Sequence, residues 1–239
     1  MSAVPSASTG TQAQGALYDY EVIVVGAGVS GIYQIKRLLE CGINATVLDG
    51  NSDVGGTWYN NRYPGARFDS ESYTYGYSFS KELLDEWHWS ERFSPQPETL
   101  RYLNYVVDKF DLREHMQFNC KVEAMIFDEE TDTWRLTLSD GRTLSCRFVI
   151  TALGPLSTPT LPNFEGMDDF QGISFHPHHW PHDLTDLSGK RVGIIGTGAT
   201  AIQIIPVVAE QASELTVFQR RANWAAPLNN GPLDEQEMN

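Results

Sequence analysis

Along the chain the spacing of hydrophobic and polar positions switches between two periods, and the switches lay out an architecture. Residues 21–25 (Glu21-Val22-Ile23-Val24-Val25) are a short apolar run rich in β-branched side chains, which predicts a buried strand. From Val29 the period lengthens, with Ile32, Ile35, Leu38 and Leu39 at helical spacing until Cys41 and Gly42 end the helix. A second strand is predicted over 45–49, so residues 20–49 read as one βαβ unit. Between its first strand and its helix stands Gly26-Ala27-Gly28-Val29-Ser30-Gly31.

Residues 50–80 are dense in Gly, Tyr, Trp, Asn and Arg and have little periodicity, which predicts a long functional loop. A helix is expected over 98–110. Alternation at 121–126 and 133–138, with Asp140-Gly141 as a turn, predicts a strand meander that closes in an apolar strand over 148–153. Pro155, Pro159 and Pro162 then punctuate an extended crossing. After it the first pattern returns: an apolar strand over 191–195, the turn Gly196-Thr197-Gly198-Ala199-Thr200-Ala201, helical spacing through Ile204 and Ile205, and a strand over 215–218. The fold class is α/β, with two Rossmann-like dinucleotide-binding units of which the second is incomplete. The expected organisation is a disordered tail over 1–17, a first domain over 18–158, a linker over 159–189 and the start of a second domain over 190–239.

Composition narrows the partners. With 239 residues, 41% hydrophobic and 11% aromatic, the chain can bury a sizeable core. A formal net charge of -14 repels phosphate backbones and anionic headgroups, so nucleic acid and membrane surfaces are poor partners. An anionic cofactor stays open, because backbone N–H groups bind phosphate whatever the net charge. The three cysteines, Cys41, Cys120 and Cys146, have no metal-type spacing, and the first residues lack the features of a leader, so a cytoplasmic setting is expected. His176, His178, His179 and His182 invite a metal reading, but Pro177 breaks any helix that would align them, and no metal is expected. Tyr73, Tyr75, Tyr77, Trp87 and Trp89 suggest an aromatic box, although such groups are more often core.

In a GxGxxG turn the first glycine makes the bend, the second admits a pyrophosphate and the third lets helix pack on strand. The first turn supplies Gly26, Gly28 and Gly31. Asp49 follows it by about 20 residues, where a carboxylate accepts from a ribose hydroxyl pair, which fits FAD or NAD. After the second turn the equivalent stretch is Gln219-Arg220-Arg221, with no acid and two guanidiniums, which fits the extra phosphate of NADP. The alternatives are purely structural glycine turns and a solvated strand end.

At this point the residues resemble a known family. The segment Phe170-Gln171-Gly172-Ile173-Ser174-Phe175-His176-Pro177-His178-His179-Trp180-Pro181 matches the FxGxxxHxxxWP fingerprint of Baeyer-Villiger monooxygenases and lies, as theirs does, between two nucleotide turns. Gly55-Gly56-Thr57-Trp58-Tyr59 and Arg62-Tyr63-Pro64-Gly65-Ala66-Arg67-Phe68-Asp69 are similar to the family's flavin-side segment. The resemblance runs from Tyr18 to Pro227. It implies FAD contacts at Ser30, Asp49, Thr57, Trp58, Asp69, Tyr75 and Val122, beside Gly56. It implies NADPH contacts at Arg67, at Thr197, Gly198, Ala199, Thr200, Ala201 and Gln203, and at Arg220 and Arg221. Asp49 stands where many members have Glu, and Phe68 where many have Cys.

The implied reaction uses NADPH and oxygen to turn a ketone into an ester or lactone through a flavin C4a-peroxide. Asp69 is the expected positioning carboxylate and His176 the second catalytic candidate, while Trp180, counted with the cofactor-facing residues, is expected to couple the two domains with His176. The family's catalytic arginine matches none of Arg62, Arg67, Arg220 or Arg221, so the rest of the site is expected from a C-terminal portion or a second chain. Two other readings remain: a short nucleotide-binding protein that oxygenates nothing, and an N- or S-oxygenating flavin monooxygenase.

Overall fold

A computed structural model describes residues 18–181, 183 and 186–233; the expected tail over 1–17 and His182 lie outside them. Strand β1 (Tyr20–Val25), helix α1 (Val29–Glu40) and strand β2 (Ala45–Leu48) follow the predicted order. β1 and β2 are parallel, with Val22 opposite Ala45 and Val25 opposite Leu48. A parallel strand here needs a crossover helix, and α1 supplies it.

The segment over 50–80, which periodicity leaves as loop, carries the short helices α2 (Thr57–Asn60) and α3 (Ser72–Tyr75), and α4 (Lys81–Glu86) follows. Helices of four residues are too short to leave a periodic signature. Helix α5 (Gln96–Lys109) starts two residues before the expected point, because Pro97 in its first turn has the fixed φ that suits a helix start.

Four more strands complete the first sheet: β3 (Met116–Gln117), β4 (Val122–Asp128), β5 (Thr133–Leu138) and β6 (Thr143–Thr151). The order is β3-β2-β1-β6-β5-β4. β6 is longer than predicted because it serves two partners. Its first half is antiparallel to β5, with Thr137 opposite Thr143, and its second half is parallel to β1, with Val25 opposite Thr151. Only the second half is apolar enough to read as a buried strand. One core cluster gathers Val22, Val24, Ile32, Ile35, Leu103, Val106 and Val107 between the sheet and α1 and α5; a smaller one gathers Ile23, Leu48, Leu136, Leu138 and Cys146. Trp89 and Tyr102 are buried in the first cluster and Trp87, Tyr75 and Tyr77 pack on it, while Tyr73 is half exposed, so the supposed aromatic box is core.

The second unit has β7 (Arg191–Ile195), α6 (Ala199–Gln211) and β8 (Glu214–Phe218), with the two strands parallel. Leu187, Ile204 and Val208 form its small core. Residues after β8 return to the first unit: the Arg92 N–H donates to the Gly231 carbonyl at 2.9 Å and the Leu233 N–H to the Ser90 carbonyl at 3.3 Å.

Candidate nucleotide sites

The first glycine turn is built by close contact on every side. Gly26 has φ +112°, and a Cβ on it would lie 2.5 Å from the Ala152 carbonyl oxygen, so the bend fits under the strand end only without a side chain. A Cβ on Gly31 would lie 1.8 Å from the Gly26 oxygen, which is the helix-on-strand contact expected of the third glycine. Gly28 is the N-cap of α1, no side chain caps that helix, and its first turn holds no acid. The first-turn N–H groups, Ser30 and Gly31 among them, therefore present the positive end of the helix without an internal anion.

Gly56 closes over this turn. A Cβ on it would lie 2.9 Å from the Gly28 Cα, and the Gly55 N–H donates to the Ala27 carbonyl at 3.0 Å. This contact brings Thr57 and Trp58, at the start of α2, beside the first glycine turn. Trp58 is buried, and its indole N–H donates to the Tyr75 hydroxyl at 2.5 Å. The Tyr75 ring stacks on Phe68 at 4.5 Å, and burial pushes its hydroxyl above the usual tyrosine value. Phe68 is thus a packing partner of Tyr75. Asp69, the next residue, is exposed.

Asp49 is buried, and its carboxylate is tied to the turn itself. Oδ2 accepts the Ala27 N–H at 2.6 Å and Oδ1 the Asn51 N–H at 2.7 Å. A carboxylate has about four acceptor sites, so capacity for a ribose hydroxyl remains. The Cys120 N–H donates to the Asp49 carbonyl at 2.8 Å, which draws Val122 alongside.

The second turn has the same backbone but open surroundings. Gly196 has φ +102°, and Cβ atoms on Gly196 or Gly198 would meet nothing within 4 Å. Gly198 is the N-cap of α6, again with no side-chain cap and no acid in the first turn. Thr197 links the turn to the end of β8, accepting from Gln219 Nε2 at 3.0 Å and donating to the Arg221 carbonyl at 3.5 Å. Arg220 and Arg221 are exposed beside it, and Ala199, Thr200 and Ala201 open α6.

Two expected NADPH contacts have other partners. The Gln203 amide donates to the Arg67 carbonyl at 2.8 Å and accepts from the Tyr63 hydroxyl at 2.9 Å, while the Arg67 guanidinium pairs with Glu91 at 2.8 Å. Tyr63, Glu91 and Asn230 were not legible as site residues, because each acts through a contact distant in sequence. The Tyr77 hydroxyl donates to the Val29 carbonyl at the start of α1 at 2.6 Å.

In the crossing, His176 Nδ1 accepts the His178 N–H at 3.1 Å and caps a 3₁₀ turn over Pro177–His179. Burial and the neighbouring His179 hold His176 below the usual histidine value, and His178 is lowered by burial, His179 and His176. Trp180 stands edge-on to Phe175 at 5.0 Å and packs, with Tyr63, against Leu187, Ile204 and Val208. Asp69 and His176 stand on separate segments. Among the described residues, no group of three or more His, Cys, Asp or Glu is placed to hold a metal ion, and no helix is long and apolar enough to cross a membrane.

Two βαβ units in series, each with a glycine turn under an uncapped helix, define a protein of the α/β class. The chain belongs to the flavin-binding monooxygenase-like family, which matches it over residues 19–228. It is 48% identical over 224 residues to the 2-oxo-Delta(3)-4,5,5-trimethylcyclopentenylacetyl-CoA monooxygenase of Pseudomonas putida, covering 91% of this chain and 41% of that protein. A Baeyer-Villiger monooxygenase of Pseudooceanicola batsensis is 46% identical over 91% of this chain and 40% of its own length. A phenazine N-monooxygenase of Lysobacter antibioticus is 43% identical over 90% of this chain and 40% of its own length. Among solved structures, OTEMO in complex with FAD and NADP superposes with a TM-score of 0.88 at 48% identity, covering 92% of this chain and 42% of that one. The chain therefore spans about two-fifths of the length of the relatives it matches.

Proposed function

We propose that this chain carries the FAD-binding and NADPH-binding turns of a Baeyer-Villiger-type monooxygenase, which converts a small ketone, oxygen and NADPH to an ester or lactone. The observation that carries the reading is the repetition: a positive-φ glycine, an extended glycine N-cap and an uncapped, acid-free helix start occur at both Gly26–Gly28 and Gly196–Gly198. Bare helix starts of this kind seat pyrophosphate. When bound, FAD supplies the oxygen chemistry and NADPH the hydride.

The residues divide the work. The first-turn N–H groups of α1 donate to the FAD pyrophosphate, and the absence of side chains at Gly28 and Gly56 leaves room for it. Asp49 accepts from the adenosine ribose with its remaining lone pairs, and Val122 lines the adenine side. Thr57 and Trp58 hold the flavin side, with Tyr75 fixing the indole. Asp69 positions the cationic group that shields developing negative charge. At the second turn the α6 N–H groups take the NADPH pyrophosphate, and Arg220 and Arg221 take its 2'-phosphate. His176 shapes the crossing by capping its turn, and Trp180 packs the crossing onto α6.

The test is flavin retention. The purified chain, incubated with FAD and desalted, is expected to stay yellow, and a colourless product would sink the first assignment. With NADPH and a cyclic ketone, this chain is expected to give little lactone, and an extended chain of the relatives' length to give it. Robust lactone formation by these 239 residues would overturn the division of the site. The identity to a phenazine N-monooxygenase favours N-oxygenation as a second reading, and competing ketone, sulfide and aromatic amine substrates on the extended chain would decide.

A further inference from the structure

Arg67 stands at two links to the second half of the chain, one direct and one through its neighbours. Its carbonyl accepts the side-chain amide of Gln203, on α6, at 2.8 Å. Its guanidinium donates to Glu91 Oε2 at 2.8 Å and to the Phe93 carbonyl at 3.0 Å. Both of those residues are in turn held by Asn230, which follows β8: its Nδ2 donates to Glu91 Oε2, and its Oδ1 accepts the Phe93 N–H at 2.9 Å. One pin therefore lies inside the second unit and the other just after it; the first meets Arg67 directly and the second reaches it through Glu91 and Phe93.

The Gln203 pin is made to measure. The Tyr63 hydroxyl donates to Gln203 Oε1 at 2.9 Å, so both ends of the amide are used. Gly65, at φ +81°, lies against α6, and a Cβ there would come within 2.3 Å of the Gln203 carbonyl oxygen. Apolar contacts that join the two parts include Tyr63 against Leu187, Ile204 and Val208, and Leu233, after β8, against the first core. Units of one chain move relative to each other unless a large apolar interface prevents it, and directional polar pins restrict that motion.

We propose that Gln203 and Asn230 are positioning residues that register the second nucleotide turn against the first, Gln203 on the Arg67 carbonyl and Asn230 on Glu91 and Phe93, to both of which the Arg67 guanidinium is committed. This rests on the two-dinucleotide reading for its consequence: hydride transfer needs reacting atoms about 3–3.5 Å apart, and an error of about 1 Å can cost about a hundredfold in rate. The pins themselves do not depend on cofactor.

A distance measurement tests it in the whole chain. Cys41 is exposed while Cys120 and Cys146 are buried, so a spin label on Cys41 and another on the thiol introduced by Glu210→Cys, on α6, report the separation of the units by pulsed electron resonance. The parent is expected to show one narrow distance. Gln203→Leu and Asn230→Ala should each lose it, Tyr63→Phe should broaden it less, and Arg67→Met, which keeps the carbonyl that Gln203 holds, should broaden it only through the Glu91 side, with Arg67→Lys restoring that part. Protection of Cys120 and Cys146 from labelling verifies that the first unit of each variant is folded, and Asn230→Ala stands in if Gln203→Leu does not fold. A broad distance in the parent, or a narrow one kept by both Gln203→Leu and Asn230→Ala, would overturn the proposal. Flavin retention is read separately, so its failure would remove the cofactor reading and leave the distance result standing.

Discussion

A Cβ placed on Gly31 would lie 1.8 Å from the carbonyl oxygen of Gly26, closer than any permitted contact. The first turn and α1 can therefore meet only through a glycine. Gly31→Ala is expected to cost about 3 kcal/mol or more, at the upper end for inserted core atoms. Urea unfolding followed by tryptophan fluorescence would measure it, and a loss near zero would mean that the turn yields more than its packing implies.

Gly198 predicts the opposite pairing of effects. It has an ordinary negative φ and open space around it, so Gly198→Ala should change stability by no more than about 0.5 kcal/mol. If a pyrophosphate sits there, the added methyl should still weaken NADPH binding by about tenfold or more, equivalent to about 1.4 kcal/mol. Calorimetric titration of the extended chain would show it. Unchanged affinity would place the nucleotide elsewhere.

Tyr75→Phe removes the acceptor of the buried Trp58 indole N–H while keeping the ring stacked on Phe68. The orphaned donor is expected to cost about 1–3 kcal/mol. Equilibrium denaturation of the variant checks the figure, and retention of FAD shows whether the indole must be fixed for binding.

The thiols should separate cleanly. Cys41 is exposed, whereas Cys120 and Cys146 are buried and burial pushes the Cys146 thiol up to about 11. The thiolate is the reactive form, so a chromogenic disulfide should label one cysteine per native chain quickly and the others only after unfolding.

His176 and His178 titrate below the usual value near 6.5, chiefly because of burial. In that window the unfolded chain binds more protons than the folded one, so stability rises with pH. Their contribution is complete above about 6.5 and declines as pH falls through the lowered folded values. Protonation also removes the lone pair by which His176 Nδ1 accepts the His178 N–H. Imidazole midpoints below 6.5, with faster amide exchange at His178 on acidification, are the expected nuclear magnetic resonance result.

Much of this protein was legible as spacing. The two βαβ units, their glycine turns and the acid at Asp49 each depend on interactions within about 20 residues, so local pattern determined them. The resemblance then named the family from the segment ending in Trp180-Pro181. Tertiary structure decided the rest. The dual pairing of β6 was hidden because its first half is polar, and α2 and α3 because they are too short to be periodic. Asp49 proved to brace the turn through the Ala27 N–H. Above all, the resemblance implies nucleotide contacts at Arg67 and Gln203, and the fold in addition joins the Gln203 amide to the Arg67 carbonyl across 136 residues. A side chain's type announces the bonds it can make, but the partner it makes them with is set only when the chain brings distant segments together.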